Sequence, residues 1–321
     1  MPYMGEMGAV GLGRETTWGV SVAPVRFTPV DRCDLAAEVT VAPLEAITGT
    51  RGVRRVVSGP TRYRGTVVGP VSGDTIGEWL LMALGARSTA ELVAPGGGNP
   101  GVYQHTFTRL ESASLPSYTV EVNMGGLTSR RVAGARAAAL SLIARPGSVL
   151  GFECDLVAKT ETEVTPATVA YPADVPLHHS SFTAKIDEVA TAEIEDLDLS
   201  ITTGLQDSIV SAGSGGEIAR LPAGGALVEG RMTVAFESMT RYHDFKNATE
   251  RSLLFEFSGG AIVSGEPWSL TLRVTRARLT AASVPLAPGR LVYEVGFVAL
   301  NDPGNQEREV EVTVVNSISA Y

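Results

Sequence analysis

Four histidines, a crowded run of carboxylates and a stretch of arginines carry the side chains with chemistry to offer in this sequence. His105, His178, His179 and His243 could bind a metal or move protons only in company, and only His178 and His179 are neighbours; adjacent residues on a strand point to opposite faces, which separates even those two. His105, inside the alternating run Tyr103 to Phe107, and His243, beside Asp244, read as structural. The carboxylates Asp187, Glu188, Glu193, Glu195, Asp196 and Asp198 are too dense, and too poor in accompanying chemistry, to form a general acid and base pair. They read as a solvated surface. Gly8, Gly11 and Gly13 approach a GxGxxG fingerprint, but Thr16 stands where the third glycine belongs and no strand precedes it. Neither a GxxxxGK[ST] loop nor a GxSxG elbow occurs. Cys33 and Cys154 have no CxxC spacing and read as two free, partly buried thiols. No catalytic residue, cofactor or metal is expected, and the chain reads as something other than an enzyme.

Charge placement says more. Arg51, Arg54, Arg55, Arg62 and Arg64 occupy a stretch without one acidic residue, whereas the carboxylate run falls in the other half of the chain. Opposite signs at separate places suit heterologous, head-to-tail association, which builds open stacks. The arginines lie in one of two long segments of weak pattern, Glu45 to Tyr63 and Thr203 to Gly225. Structureless segments of that length are uncommon in compact domains and are commonly functional. Thr48, Arg51, Arg54, Arg55, Arg62 and Arg64 in the first, with Ser211, Glu217 and Arg220 in the second, are therefore the expected contact residues for other copies of the chain. The acidic run is their expected partner.

The elements that must position these segments are mostly strands. Period-2 runs recur at Glu38 to Val41, Thr119 to Val122, Leu197 to Ile201, Leu270 to Val274 and Glu309 to Val314. Gly- and Pro-rich breaks such as Pro95 to Gly101 and Asn301 to Gly304 separate them, which predicts a mainly β sandwich or barrel. Two helices interrupt it. One spans about Thr75 to Leu84, with Thr75 and Glu78 at capping-box spacing and Gly85 closing the end; the other spans about Met239 to Ala248 after a Ser238 cap, with Met239, Tyr242, Phe245 and Ala248 forming an apolar stripe. Each is expected to lie on a sheet.

At 321 residues the chain is long for one core and suggests two domains. Gly65 to Val68 precedes the first helix at the distance at which Gly230 to Val234 precedes the second. Leu115 to Val122 parallels Pro267 to Val274, and Pro146 to Glu153 parallels Pro288 to Glu294 with one residue of offset. This order suggests two copies of one β unit: an N-terminal arm over 1–35, a first unit over 36–162, a linker over 163–176 and a second unit over 177–321. The net charge of −9 argues against wrapping nucleic acid. The start of the chain has no basic and apolar leader pattern, and no apolar run reaches bilayer length, so no membrane role is expected.

Gly11-Leu12-Gly13-Arg14-Glu15-Thr16-Thr17-Trp18-Gly19-Val20, followed by Ala23 to Val30, resembles the N-terminal signature of tail tube proteins of long-tailed bacteriophages, the siphophages. The likeness continues through Tyr103 to Phe107, Leu115-Pro116-Ser117, Pro288 to Leu291 and Tyr293-Glu294-Val295. The resemblance implies β-sandwich or barrel units, each flanked by a helix, whose long loops join subunits into stacked rings around a channel. It implies a virion component assembled in the host cytoplasm, with a tape measure protein and a tail terminator as neighbours and double-stranded DNA passing through without specific binding. The acidic run is then a candidate lining of the lumen. Such tubes have sixfold symmetry, so two units per chain imply three chains in a pseudo-sixfold ring. A tail terminator, another tube-like phage component and a carbohydrate-binding adhesive sandwich are the competing readings; the last lacks a cluster of aromatics, since Trp18, Trp79 and Trp268 are scattered.

Overall fold

A computed structural model describes residues 4–321 except 45, 46, 48, 50, 54, 93–100, 208, 264, 287 and 307. The first part of the chain forms β1 (Ala9–Arg14), β2 (Arg26–Thr28), β3 (Arg32–Cys33), β4 (Ala36–Pro43), β5 (Val56–Pro70), α1 (Ile76–Leu84), β6 (Gly85–Glu91), β7 (Tyr103–Arg109), β8 (Tyr118–Met124), β9 (Thr128–Ala144), β10 (Gly151–Ala158) and β11 (Thr160–Val164). After an extended stretch come β12 (Thr183–Ile186), β13 (Val189–Thr191), β14 (Ile194–Thr202), β15 (Leu227–Ala235), α2 (Thr240–Lys246), β16 (Glu250–Val263), β17 (Glu266–Ser283), β18 (Val292–Ala299) and β19 (Glu311–Asn316). The protein is mainly β, and every strand pairing is antiparallel.

Alternation decides which face each strand buries. On β14 the buried residues are Ile194, Leu197, Leu199 and Ile201, and on β18 they are Tyr293, Val295, Phe297 and Ala299. A bulge between Ile194 and Asp196 shifts the phase of β14, so that Glu195 and Asp196 both escape burial. Side chains from nearly all these strands meet in one continuous hydrophobic core, which runs from Val10 on β1 to Val314 on β19.

Two long strands carry the architecture. The first half of β9 pairs with β8 and β11, while its second half pairs with β10 and β14. β17 repeats the arrangement: its first half pairs with β16 and β19, and its second half with β18. Around them the pairing order β2-β1-β8-β9-β10-β5-β4 is followed by β13-β12-β16-β17-β18-β15-β14. The two series are joined where β9 meets β14 and where β7 meets β19. Within this order β8 occupies the place of β16, and β17 that of β9. Leu115 to Val122 and Pro267 to Val274, similar in sequence, thus sit at different places in the pairing. Residues 9–14 and 26–28 of the expected N-terminal arm are strands in the sheet, with β1 buried over most of its length.

The two helices differ. All nine residues of α1 are buried, and Trp79 packs on Phe152 with ring centroids 5.1 Å apart. Gly85 ends α1 in the left-handed region at φ +89°, donating to the Leu81 carbonyl. The expected capping box is absent: Thr75 makes no side-chain cap, because Glu78 turns into the core to accept from Tyr118 Oη at 2.8 Å and Arg26 Nε at 2.9 Å. α2 inverts the expectation for it. Met239, Tyr242 and Phe245 are exposed, and the buried residue is Asp244, clasped by Arg241 at 3.2 Å and Arg251 at 2.6 Å. A buried carboxylate must keep its cations, so the polar side of α2 faces inward and its apolar stripe faces out.

Candidate assembly edges and charged faces

The last part of the first long segment, residues 56–63, is one arm of a hairpin. β4 pairs with β5 from Ala36↔Arg64 to Pro43↔Val56, and the Leu44 N–H extends the ladder to the Arg55 carbonyl at 2.9 Å. Residues 56–63, expected to be loop, are thus strand. Every residue of β4 is exposed, and Val39, Val41, Leu44, Val53, Val56 and Val57 show apolar surface on the hairpin or near its tip. Arg51 and Arg55 lie exposed there, whereas Thr48 and Arg54 fall outside the described residues. Arg62 stands opposite Glu38, and Arg64 pairs with Asp207 of its own chain. The arginines are therefore divided: two belong to the body side of the hairpin and two to its far end.

The second segment, 203–225, folds back onto the chain. Ile218 and Leu221 are buried in a small second core with Val157, against Trp18, Ala138 and Leu205. Thr203 Oγ1 donates to the Ala137 carbonyl at 2.7 Å, Thr160 Oγ1 donates to Glu217 at 3.2 Å, and Arg136 donates to the Leu221 carbonyl. The two ends of the segment meet at Gly204, φ +63°, where an added Cβ would strike the Gly225 carbonyl. Of its expected contact residues, Ser211 and Arg220 are exposed and Glu217 is half-buried.

The acidic run is dispersed rather than gathered into one surface. Asp187 and Glu188 form the tight β12–β13 turn with φ +51° and +62°, the geometry of a two-residue hairpin turn. Burial pushes the Asp187 carboxyl up, but the Ser252 N–H and the Arg251 guanidinium outweigh it and hold the group below the ordinary aspartate range. Glu188 pairs with Arg273 at 3.0 Å, Glu193 with Arg241 at 3.3 Å, and Glu195 with Arg290. Asp196 and Asp198 alone of the six project from the outer face of β14, with Arg145 at 3.9 and 3.6 Å. The cause is local: the turn and the bulge rotate neighbouring carboxylates to different sides.

A different acidic set shares the outer face of the continuous sheet. Register places Glu153, Ser141, Ser200 and Glu229 in one row across β10, β9, β14 and β15, and Asp196, Thr233 and Glu294 in another. With Asp155 and Asp198 this face carries six carboxylates, and Arg231 and Arg145 stand among them. Its second half is an open concavity of about 800 Å³ lined by Asp196, Asp198, Glu229, Arg231 and Glu294. Nothing in the sequence spacing joins Glu153 to Glu229; strand register does.

The glycine-rich stretch near the start is a structural knot. Glu15, buried, accepts from the Gly19 and Gly134 N–H groups at 2.8 and 2.7 Å and from Ser117 and Thr119 hydroxyls at 2.8 Å each. Trp18 donates to the Gly134 carbonyl at 3.0 Å and lies between Arg136 and Lys159. His105 is likewise knitted in, between Thr89 at 2.9 Å, Asn316 at 3.1 Å and the Ile318 carbonyl at 2.7 Å. Burial lowers its pKa more than its hydrogen bonds restore it. Cys154 is fully buried and Cys33 half-buried. Among the described residues no group of three or more His, Cys, Asp or Glu could hold a metal, and no helix is long and apolar enough to cross a membrane.

The family model for phage tail tube proteins matches residues 5–299. Comparison with curated proteins returned no match. The match covers nearly the whole of a chain whose mainly β fold, exposed hairpin and free sheet edges suit a structural subunit, and it shows that this protein belongs to the phage tail tube protein family.

Proposed function

We propose that this protein closes into rings of three chains that stack into a hollow tail tube, through which double-stranded DNA passes during ejection. The observation that carries this reading is the seam inside the chain. β9 and β14 pair from Leu197↔Ala144 to Thr202↔Ala139, so the two series of strands form one continuous sheet. The recurring pairing order supports two units of common origin, and a seam between units within a chain supplies the pattern for a seam between chains. Two units per chain make three chains a pseudo-sixfold ring. The contact joins opposite ends of one sheet and is heterologous, the class that closes rings.

The carboxylate-rich face suits the channel wall. A wall that neutralised phosphates would hold DNA, because each neutralised phosphate releases counterions; carboxylates leave it free to slide. The β4–β5 hairpin, exposed along its whole first strand, suits contact between stacked rings, with Arg51 and Arg55 toward its end. A tape measure protein inside the tube and a terminator at its end would complete the assembly. Negative-stain microscopy of the purified chain tests the reading: hollow filaments of uniform width are expected, and particles that remain single chains at every salt and protein concentration would refute it.

A further inference from the structure

We infer that the free edge formed by β3, Leu35 and the start of β4 pairs with residues 281–286 of a second copy, with Leu35 opposite Val284 and Ala36 opposite Ser283. This rests on the ring proposed above and specifies its contact residue by residue.

The register follows from the two series of strands. Gly65 on β5 lies opposite Leu156, and Gly230 on β15 lies opposite Phe297. Each partner sits beside the same break in its ladder: Asp155 and Leu156 face Ala139 and Ala137, while Gly296 and Phe297 face Ala281 and Leu279. Ala139 is therefore matched by Ala281, Ser141 by Ser283 and Leu142 by Val284. On the other side, Val67 lies opposite Cys33 and Arg64 opposite Ala36, as Met232 lies opposite Leu197 and Glu229 opposite Ser200. Cys33, Leu35 and Ala36 are matched by Leu197, Leu199 and Ser200. Within the chain, Leu199 faces Leu142 and Ser200 faces Ser141, the two serine hydroxyls 3.2 Å apart. Substituting the matched residues gives the proposed pairing between chains.

Both edges are open. Among the described residues β3 and β4 pair only with β5, and β17 from Leu279 to Ser283 pairs only with β18. The Asp34 N–H bonds the Thr66 carbonyl of β5 at 3.1 Å, so by antiparallel alternation the polar groups of Leu35 point to the open side. There the Leu35 carbonyl accepts from Arg130 at 3.1 Å, a contact that the Val284 N–H would replace. Pro285, which lacks an N–H, falls opposite Asp34, whose polar groups point the other way, so the joint loses no hydrogen bond. Side-chain burial agrees. Leu35 is 1% exposed like its match Leu199 at 0%. Leu286 is 92% exposed, whereas its match Ala144, covered by the internal seam, is 0% exposed. A second copy seated on this edge would cover Leu286.

The test pairs Ala36→Cys with Ser283→Cys in the full chain carrying Cys33→Ser, oxidised after assembly. Directly opposed residues on neighbouring strands meet disulfide geometry, while residues two places out of register do not. The expected result is a reducible ladder of covalently linked chains, at least about tenfold stronger than that from Ala36→Cys with Ala281→Cys. Filaments without this ladder, or a stronger ladder from the Ala281→Cys pair, would overturn the register while leaving the tube intact. Failure of the unaltered protein to assemble would overturn both. Leu286→Asp guards against a cysteine pair that fails for other reasons: it should abolish assembly and leave the melting temperature of the single chain unchanged, and assembly at the parental level would also overturn the register.

Discussion

Glu15 shows how a residue without catalytic work can still be indispensable. Its carboxylate receives four hydrogen bonds from two backbone amides and two hydroxyls. Glu15→Ala would leave those buried donors unpaired, at a cost of about 2–4 kcal/mol, read as a lower urea midpoint with an unchanged slope. His105 makes a pH prediction. Burial holds its folded pKa below the ordinary imidazole value of about 6.5, so as pH falls through that value the unfolded chain takes up a proton that the folded one refuses. Stability should fall from neutral pH down to the lower folded pKa and then level off; His105→Gln should remove that component, measured by thermal unfolding between pH 7.5 and 5. Residue types alone revealed little of this. The glycine-rich stretch stood out in the sequence, but three of the four partners of Glu15 lie 102 to 119 residues away, and only the fold brings Ser117, Thr119 and Gly134 to it.

Elements were legible wherever one face is buried. Strands such as Leu197 to Ile201 announced themselves by alternation, and α1 by its apolar content and Gly85. The first half of β5 did not, because neither side of the hairpin is buried and so no periodicity records it. α2 was placed correctly along the chain but turned the wrong way, because its orientation is fixed by Arg251 reaching Asp244, a contact that local spacing cannot show. One comparison tests how the strands cross. An added Cβ at Gly65 would strike the backbone of Asp34 and Leu35, whereas at Gly230 it would strike the ring edge of the buried Phe297, a side chain, with the nearest backbone atom, the Asp198 carbonyl oxygen, 3.0 Å away. Gly65→Ala should therefore destabilise by about 1–3 kcal/mol, and Gly230→Ala by clearly less, in matched denaturant titrations. The reverse ranking would mean that the crossing of Leu35 over β5 is looser than described.

At the scale of the whole molecule, charge makes the sharpest prediction. The six outer-face carboxylates, gathered by register rather than by sequence, should keep assembled protein from binding double-stranded DNA even at low salt. Replacing Asp196, Asp198 and Glu229 together by lysine should produce binding that weakens as salt rises, measured by fluorescence anisotropy on assembled material. Equal retention by the parent and the triple variant would mean that these carboxylates do not line the proposed channel.

In the proposed ring of three chains, the contrast between the β4–β5 hairpin and the tucked segment 203–225 has a geometrical corollary. Six sites around the axis would be alike in their walls yet different at their rims, with a projecting finger at every second one. Successive layers of such a cylinder could dock in three rotational settings, 120° apart. The chain would thus keep a near-hexagonal bore while limiting how one layer can be turned upon the next.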